Sequence, residues 1–231
     1  MENVKDSENK TIWFLRHAQS TANKDRIVQG HFDTPLTELG LQQAHLTGLY
    51  FLENKENFAV TNVFSSDLQR AKQTAAQIAN KLGLTIQTDK RLREAFFGRW
   101  EGVSVDELIQ QEPVEYAKWM EDKTWRPSWC ESFDSIKERA FAALHEITQL
   151  EGNTVIVTHG GVLQAIFYTL LNLLDCPPSQ FTSRPAFSNC GISCLVQNDW
   201  VNGFSVCKVN SLAPGVTETI QSLMLENTFQ R

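Results

Sequence analysis

NTVIVTHGGVLQAIFYTLLNLL, residues 153–174, opens with a β-branched run bounded by polar groups, passes His159 and two glycines, and continues as a mostly apolar segment. The opening reads as a strand, since Val, Ile and Thr fit a pleated, packed surface. The continuation reads as a core helix: polar residues interrupt it, and it falls short of the ~20 apolar residues needed to span a bilayer. A strand that runs directly into a helix is the repeating unit of a parallel α/β sheet.

The same unit recurs towards the N-terminus. TIWFL (11–15), TNVFSS (61–66) and LTIQTD (84–89) are further short apolar or β-branched runs bounded by turn or polar residues. Helical patterns separate them. TELGLQQAHLTGLYFLEN (37–54) opens on an N-capping Thr and keeps Leu41, Ala44, Leu46 and Leu49 broadly on one side. SDLQRAKQTAAQIANKLG (66–83) starts with a Ser cap, repeats Leu68, Ala71, Ala75, Ile78 and Leu82, and stops at Gly83. FDSIKERAFAALHEITQLEG (133–152) repeats the pattern immediately before the opening stretch. Downstream, GISCLV and FSVCKV flank QNDWVNG as an antiparallel hairpin on one sheet edge. The expected fold is therefore α/β, a mostly parallel sheet flanked by helices with an antiparallel edge.

Residues 98–130 break the rhythm with short helical pieces, Pro113, Pro127 and four tryptophans, and read as a small helical cap inserted over the sheet. Its tryptophans serve either as core filler or as pocket wall. Its cations in WMEDKTWRPSWCE, Lys123 and Arg126, are placed either to meet a second acidic group on a substrate or as solvated surface charge. Residues 1–10 are polar, with no apolar run of the kind an export signal needs, and read as a disordered lead to a single domain over 11–231. The five cysteines show no zinc-ligand spacing, so free thiols in a reducing cytoplasm are expected and no metal site is. A formal net charge of −6 argues against a nucleic-acid or anionic-membrane partner, which demands a basic face. Any anionic ligand must be held by local positive charge.

Such charge collects where ligands bind in open α/β sheets, beyond the carboxyl ends of the strands. Arg16 and His17 follow the first strand, Arg70 lies early in the helix after the second, and His159 follows TVIVT directly before Gly160 and Gly161. Arginine stays charged and grips phosphate or carboxylate oxygens with a fixed fork. Glycines opening a helix let an anion approach free backbone N–H groups and the positive end of the helix dipole. A neutral imidazole attacks phosphorus, and its reference pKa of ~6.5 leaves much of it neutral at cellular pH. His17 thus reads as a nucleophile, with Arg16, Arg70 and a protonated His159 to stabilise the equatorial oxygens of a transferring phosphoryl group. An alkoxide leaving group needs a proton, and Glu94, beside Phe96 and Phe97, is the candidate acid.

LRHAQSTAN, QGHFDTPLTELGLQQA, FSSDLQRAKQTA, LREAFFGRWEG and VIVTHGGV, in this order, resemble the histidine phosphatase superfamily, in the branch of cofactor-dependent phosphoglycerate mutases and small phosphomonoesterases. The resemblance covers about residues 11–175. It implies a phosphoglycerate mutase-like fold, phosphorylation of His17, assistance from Arg16, Arg70, His159 and the acid Glu94, and phosphate contacts from Asn23. It also places Gln29 in a loop near the substrate, whereas Gly160 is read as anion-binding from its place, with Gly161, at the opening of a helix. Ala18 stands where glycine is commoner, a variant the family also shows. Cys130 stands where glycine is usual before Glu131 and Ser132, so a changed turn in the cap is expected.

The resemblance implies a metal-independent, cofactor-free phosphomonoester hydrolase acting on a small phosphorylated metabolite, with a phosphoprotein as the other substrate class. Two alternatives stand beside it. A mutase would return the phosphoryl group to substrate instead of water, and a non-catalytic module would bind phospho-ligands without forming phosphohistidine.

Overall fold

Alternation along the strands sets the two faces of the sheet. Ile12, Phe14, Phe64 and Ile156 join one buried cluster, whereas Leu15, Val63, Val155 and Val157 join another. Successive side chains of a strand point to opposite faces, so each face needs its own cover. The computed structural model describes residues 10–122, 124–171, 187–198, 203–213 and 216. Most of the expected N-terminal lead, Lys123, Cys176 and the hairpin turn at 199–202 lie outside the described residues.

In chain order the elements are β1 (Thr11–Arg16), α1 (Thr21–Lys24), α2 (Glu38–Glu53), α3 (Lys55–Phe58), β2 (Val60–Ser65), α4 (Gln69–Leu82) and β3 (Ile86–Thr88). They continue with α5 (Val105–Gln111), α6 (Pro113–Glu121), α7 (Phe133–Thr148), β4 (Asn153–Thr158), α8 (Gly160–Leu170), β5 (Ile192–Asn198) and β6 (Gly203–Ser211). Among the described residues the sheet has six strands in the order β3-β2-β4-β1-β5-β6. β3, β2, β4 and β1 run parallel; β5 pairs antiparallel with both β1 and β6. The expected hairpin is present, and its first strand lies against β1 itself.

Helices α2 and α4 pack together over the face that buries Leu15, Val63 and Val155, and α7 and α8 over the face that buries Phe14 and Ile156. The second cluster extends into the cap through Phe97, Trp100 and Leu108. Lys10, at the end of the expected lead, belongs to the fold: its ammonium donates to the carbonyls of Ile147 and Leu150 at the end of α7. A cation there satisfies the orphan carbonyls of a helix C-terminus.

Two local expectations shift. The helix expected from Ser66 begins at Gln69, with Leu68 at the N-cap position and no side-chain cap of its own. Asp33 supplies the acceptor from a distant loop, taking the Gln69 N–H at 2.7 Å, and its negative charge suits the positive end of the helix. Strand β3 is shorter than LTIQTD because the Leu84 N–H closes the end of α4 on the Ala79 carbonyl and Asp89 turns to the Arg91 N–H. Gly83 ends α4 at φ 69°, as its sequence position suggests.

Ile156 lies fully buried on the central β4. Ile156→Ala is expected to cost about 3 kcal/mol of stability through lost burial and a residual cavity. Urea denaturation monitored by Trp fluorescence measures it, and a loss under about 1 kcal/mol contradicts this placement of the core.

Candidate active site

Strands β1 and β4 are parallel neighbours with Arg16 opposite Thr158. The next residue on each, His17 and His159, therefore leaves the same edge of the sheet at the same level. The His17 N–H continues the ladder to the Thr158 carbonyl at 2.9 Å, and the two imidazole rings stand 5.1 Å apart. On the other side of β4, Ser65 of β2 lies opposite Val157, which brings the Ser66 hydroxyl 2.8 Å from His159 Nε2. Register alone thus collects both histidines.

His17 Nδ1 lies 2.7 Å from the Ala18 carbonyl. A carbonyl only accepts, so Nδ1 carries the proton and Nε2 keeps its lone pair. Burial first, then the charges of Arg70 and Arg16, hold the His17 pKa well below 6.5, against the raising effect of the Ala18 carbonyl. The imidazole is neutral at neutral pH. Burial, then Arg70 and His17, hold the His159 pKa well below 6.5 too, so in the protein alone it is neutral as well. Two buried cations beside two arginines would repel, and the imidazoles are the groups able to give up charge.

Arg16 donates from Nη1 to the Phe187 carbonyl at 2.7 Å. Arg70, buried in the first turn of α4, donates to the Gly30 carbonyl at 2.7 Å and the Phe32 carbonyl at 3.3 Å, and pairs with Asp33 at 3.4 Å. The buried Nε atoms of both arginines and Nδ1 of His159 have no hydrogen-bond partner among the described residues. Burial lowers both guanidinium pKa values from the ordinary arginine range and Glu94 raises them again, which leaves both groups charged at any physiological pH.

Glu94 lines the same pocket, beside the start of α8. Its carboxylate accepts from the Ala95 N–H at 2.9 Å and the Gly161 N–H at 3.0 Å. The aromatic surroundings expected for it are absent on one side, since Phe96 is 44% exposed; backbone donors and arginines are its neighbours instead. Its backbone is clamped by Arg139, which donates to the carbonyls of Arg91, Arg93 and Glu94, and by His31, which donates from Nε2 to the Glu94 carbonyl at 3.0 Å. A Cβ on Gly161 would collide with Glu94 Oε1, whereas one on Gly160 would sit 3.7 Å from Arg16 Nε, an ordinary contact.

Asn23 closes a capping box with Ser20 at the start of α1, and Gln29 receives the Ser20 hydroxyl at 2.7 Å. Both line the pocket. Asn189 was not visible in the sequence reading: its amide donates to the His17 carbonyl at 2.8 Å and to Asn23 Oδ1 at 3.2 Å. No local pattern marks it, because it is recruited from beyond α8. Ala18 fits its site, with its methyl in a small cluster with Leu36, Ala44 and Cys190 and its N–H donating to Thr74. Cys130 changes no special turn: it is not among the positive-φ positions, and its thiol meets the Phe97 carbonyl at 3.2 Å.

Arg16, His17, Asn23, Gln29, Arg70 and Glu94 line a cavity of about 460 Å³, whose cap side is formed by Phe97, Val105, Tyr116, Trp119 and Arg126; His159 is not among its lining residues. The cap tryptophans divide: Trp100 is fully buried, whereas Trp119 lines the cavity. Among the described residues no three His, Cys, Asp or Glu side chains gather as a metal-holding group, and no helix is long and apolar enough to cross a membrane.

The family profile described as "Histidine phosphatase superfamily (branch 1)" matches residues 12–209. The chain belongs to this superfamily. "Probable phosphoglycerate mutase GpmB" from Yersinia pestis is 36% identical over 186 residues, covering 79% of this chain and 82% of that protein. Among solved structures, mycobacterial glucosyl-3-phosphoglycerate phosphatase in complex with VO3 superposes with a TM-score of 0.76 at 27% identity, covering 87% of this chain and 99% of that one. The alpha-ribazole phosphatase of Shigella flexneri gives 0.70 at 27% identity, over 89% and 98%. Relatives of this histidine phosphatase chain thus carry both mutase and phosphatase names.

Because His17 and His159 are buried neutral, the unfolded chain binds more protons than the folded one below pH 6.5, and stability falls as pH falls through that region. Each histidine contributes a slope of up to about 1.4 kcal/mol per pH unit. Urea melts at pH 7 and pH 5.5 should show this loss, and His159→Gln should remove roughly half of it. An unchanged pH dependence in the variant contradicts the assignment.

Proposed function

We propose that the chain is a phosphomonoester hydrolase working through a phosphohistidine on His17, without metal or cofactor. The observation that carries this reading is the neutral His17, with its Nε2 lone pair held free by the Nδ1 contact to Ala18, in a pocket that also presents Arg16, Arg70 and Glu94.

Nε2 attacks phosphorus while the P–O bond to the alcohol breaks, and Glu94 delivers a proton to the departing oxygen. The equatorial oxygens meet the free Nε donors of the two arginines and Nδ1 of His159, which takes up a proton as the phosphate dianion arrives to stabilise its charge. Asn23 and Gln29 hold the remaining oxygens. Gly160 gives access to the first turn of α8. In the second step Glu94, now ionised, takes a proton from water, the water oxygen bonds to phosphorus, and the N–P bond breaks to return neutral His17 and free phosphate. Arg139, His31 and Asn189 are positioning residues that hold the Glu94 and His17 backbones.

Water access favours hydrolysis over mutase action. Arg26 lines the same cavity with its side chain 60% exposed, so the pocket is open to solvent on that side. A mutase must shield its phosphohistidine while the acceptor reorients. The mutase name of the 36%-identical relative is the reason to test the alternative directly: primed interconversion of phosphoglycerates faster than phosphate release would establish it. The cap walls one side of the pocket, which fits a small phosphorylated metabolite better than a phosphoprotein segment.

Brief mixing with a reactive phosphoester and an alkaline quench should leave phosphate on His17, and His17→Ala should abolish both label and turnover. Label on serine or aspartate refutes the mechanism. Glu94→Gln should slow alkyl phosphates at least about tenfold more than aryl phosphates with acidic leaving groups, since only the former need a delivered proton. Equal losses on both mean that Glu94 is structural or binds substrate and is not the acid. Turnover should persist in excess chelator, and loss restored by one added metal ion would overturn metal independence.

A further inference from the structure

Asn23, Gln29 and Gln164 bring side-chain amides to the cavity, and the first two have committed their oxygens within the protein. Asn23 Oδ1 accepts from the Ser20 N–H and from the Asn189 amide, both at 3.2 Å, and Gln29 Oε1 accepts from the hydroxyls of Ser20 at 2.7 Å and Thr34 at 3.3 Å. What is left to these two for a ligand is N–H donors, which suits phosphate oxygens, since those only accept. Gln164, one turn beyond Gly160 on α8, is half-buried and makes no side-chain hydrogen bond among the described residues. It therefore offers an acceptor as well as donors. A phosphate dianion or a carboxylate would use the donors alone and leave Oε1 facing negative charge. An ammonium group would satisfy Oε1, but the described lining carries Arg16, Arg26, Arg70 and Arg126 against the single carboxylate of Glu94, and like charges repel. A hydroxyl is neutral and both donates and accepts. Two neighbouring hydroxyls match the amide fully, one donating to Oε1 and the other accepting from Nε2.

Position agrees with this chemistry. Gly160 and Gln164 are four residues apart, so they share one face of α8 with a rise of about 6 Å between them. A Cβ on Gly160 would sit 3.7 Å from Arg16 Nε, so this face of α8 starts beside a phosphate donor and continues along the cavity wall to Gln164. We propose that Gln164 is a specificity residue that reads a pair of neighbouring hydroxyls on the carbons next to the ester oxygen, so that the substrate is the phosphate ester of a polyhydroxy alcohol. This rests on the phosphomonoester reading of the same site and adds the class of alcohol. On the cap side the rings of Phe97, Tyr116 and Trp119 give the carbon skeleton of such an alcohol surfaces to lie against while its hydroxyls turn to α8.

Two phosphonates that cannot be hydrolysed test it by calorimetric titration: 3,4-dihydroxybutylphosphonate, taken as each enantiomer, and butylphosphonate, which lacks the hydroxyls. The intact protein should bind the better diol enantiomer at least about fivefold more tightly than butylphosphonate, the size expected of one or two hydrogen bonds between neutral groups. Gln164→Leu and the unbranched Gln164→Met each remove the amide, and in either one the ratio of the two affinities should fall to within about twofold of unity. Equal affinity of the intact protein for the two compounds, or a ratio that survives the substitutions, overturns the proposal. The matching esters, glycerol 3-phosphate and propyl phosphate, assayed for phosphate release, separate the two readings. A diol preference that disappears on substitution, without hydrolysis of either ester, removes only the hydrolase reading, and hydrolysis without the preference removes only this one.

Discussion

The parallel pairing that sets Arg16 opposite Thr158 is the constraint from which the site follows. Shift that register by one residue and the side chains of β1 change faces: Phe14 leaves its cluster with Phe167, Leu15 leaves Val63, and His17 leaves the level of His159. Because each face is buried against its own pair of helices, the register is strongly specified. The hydrophobic pattern of the two strands thereby fixes the separation of two polar side chains that contribute little to the packing themselves.

Around that pair, positive charge is concentrated by burial more than by number. The chain is acidic overall, yet Arg16 and Arg70 are held among backbone carbonyls of Phe187, Gly30 and Phe32, groups that satisfy a guanidinium without neutralising it. Among the described residues Asp33 is the one carboxylate paired directly with Arg70, and it is half committed to the N-terminus of α4. The histidines respond by staying neutral. Burial does most of this, and the charges of Arg70 and Arg16 that add to it are also the charges an anion entering the pocket would meet.

The cap contributes differently. Trp100 is anchored by its indole N–H to Glu112 at 2.9 Å, Arg99 lies 3.6 Å over the Trp129 ring, and Gly98 at φ 55° allows the chain to pass against the Trp129 carbonyl. These contacts hold a small, largely aromatic layer in place without a core of its own. Arg139 ties it to the sheet by gripping Glu131 of the cap margin and the carbonyls beside Glu94 at once. Glu94 and the cap wall are thus positioned by the same side chain of α7.

The strands, most helix boundaries and the identities of Arg16, His17, Arg70, Glu94 and His159 as a constellation were legible in the sequence, because periodicity and strand-end position are local properties of the chain. The helical start at Gln69 was not, since its cap comes from Asp33, more than thirty positions away. Asn189 and Phe187 escaped for the same reason: they reach His17 and Arg16 only after α8 has carried the chain back to β1. The neutrality of His159, the donors around Glu94 and the division of the tryptophans between core and pocket depend on burial and on partners from other segments. The sequence by itself determined which elements form and which chemical groups stand at their ends. Tertiary structure decided their protonation, spacing and company, because desolvation and through-space charge act between segments that only folding brings together.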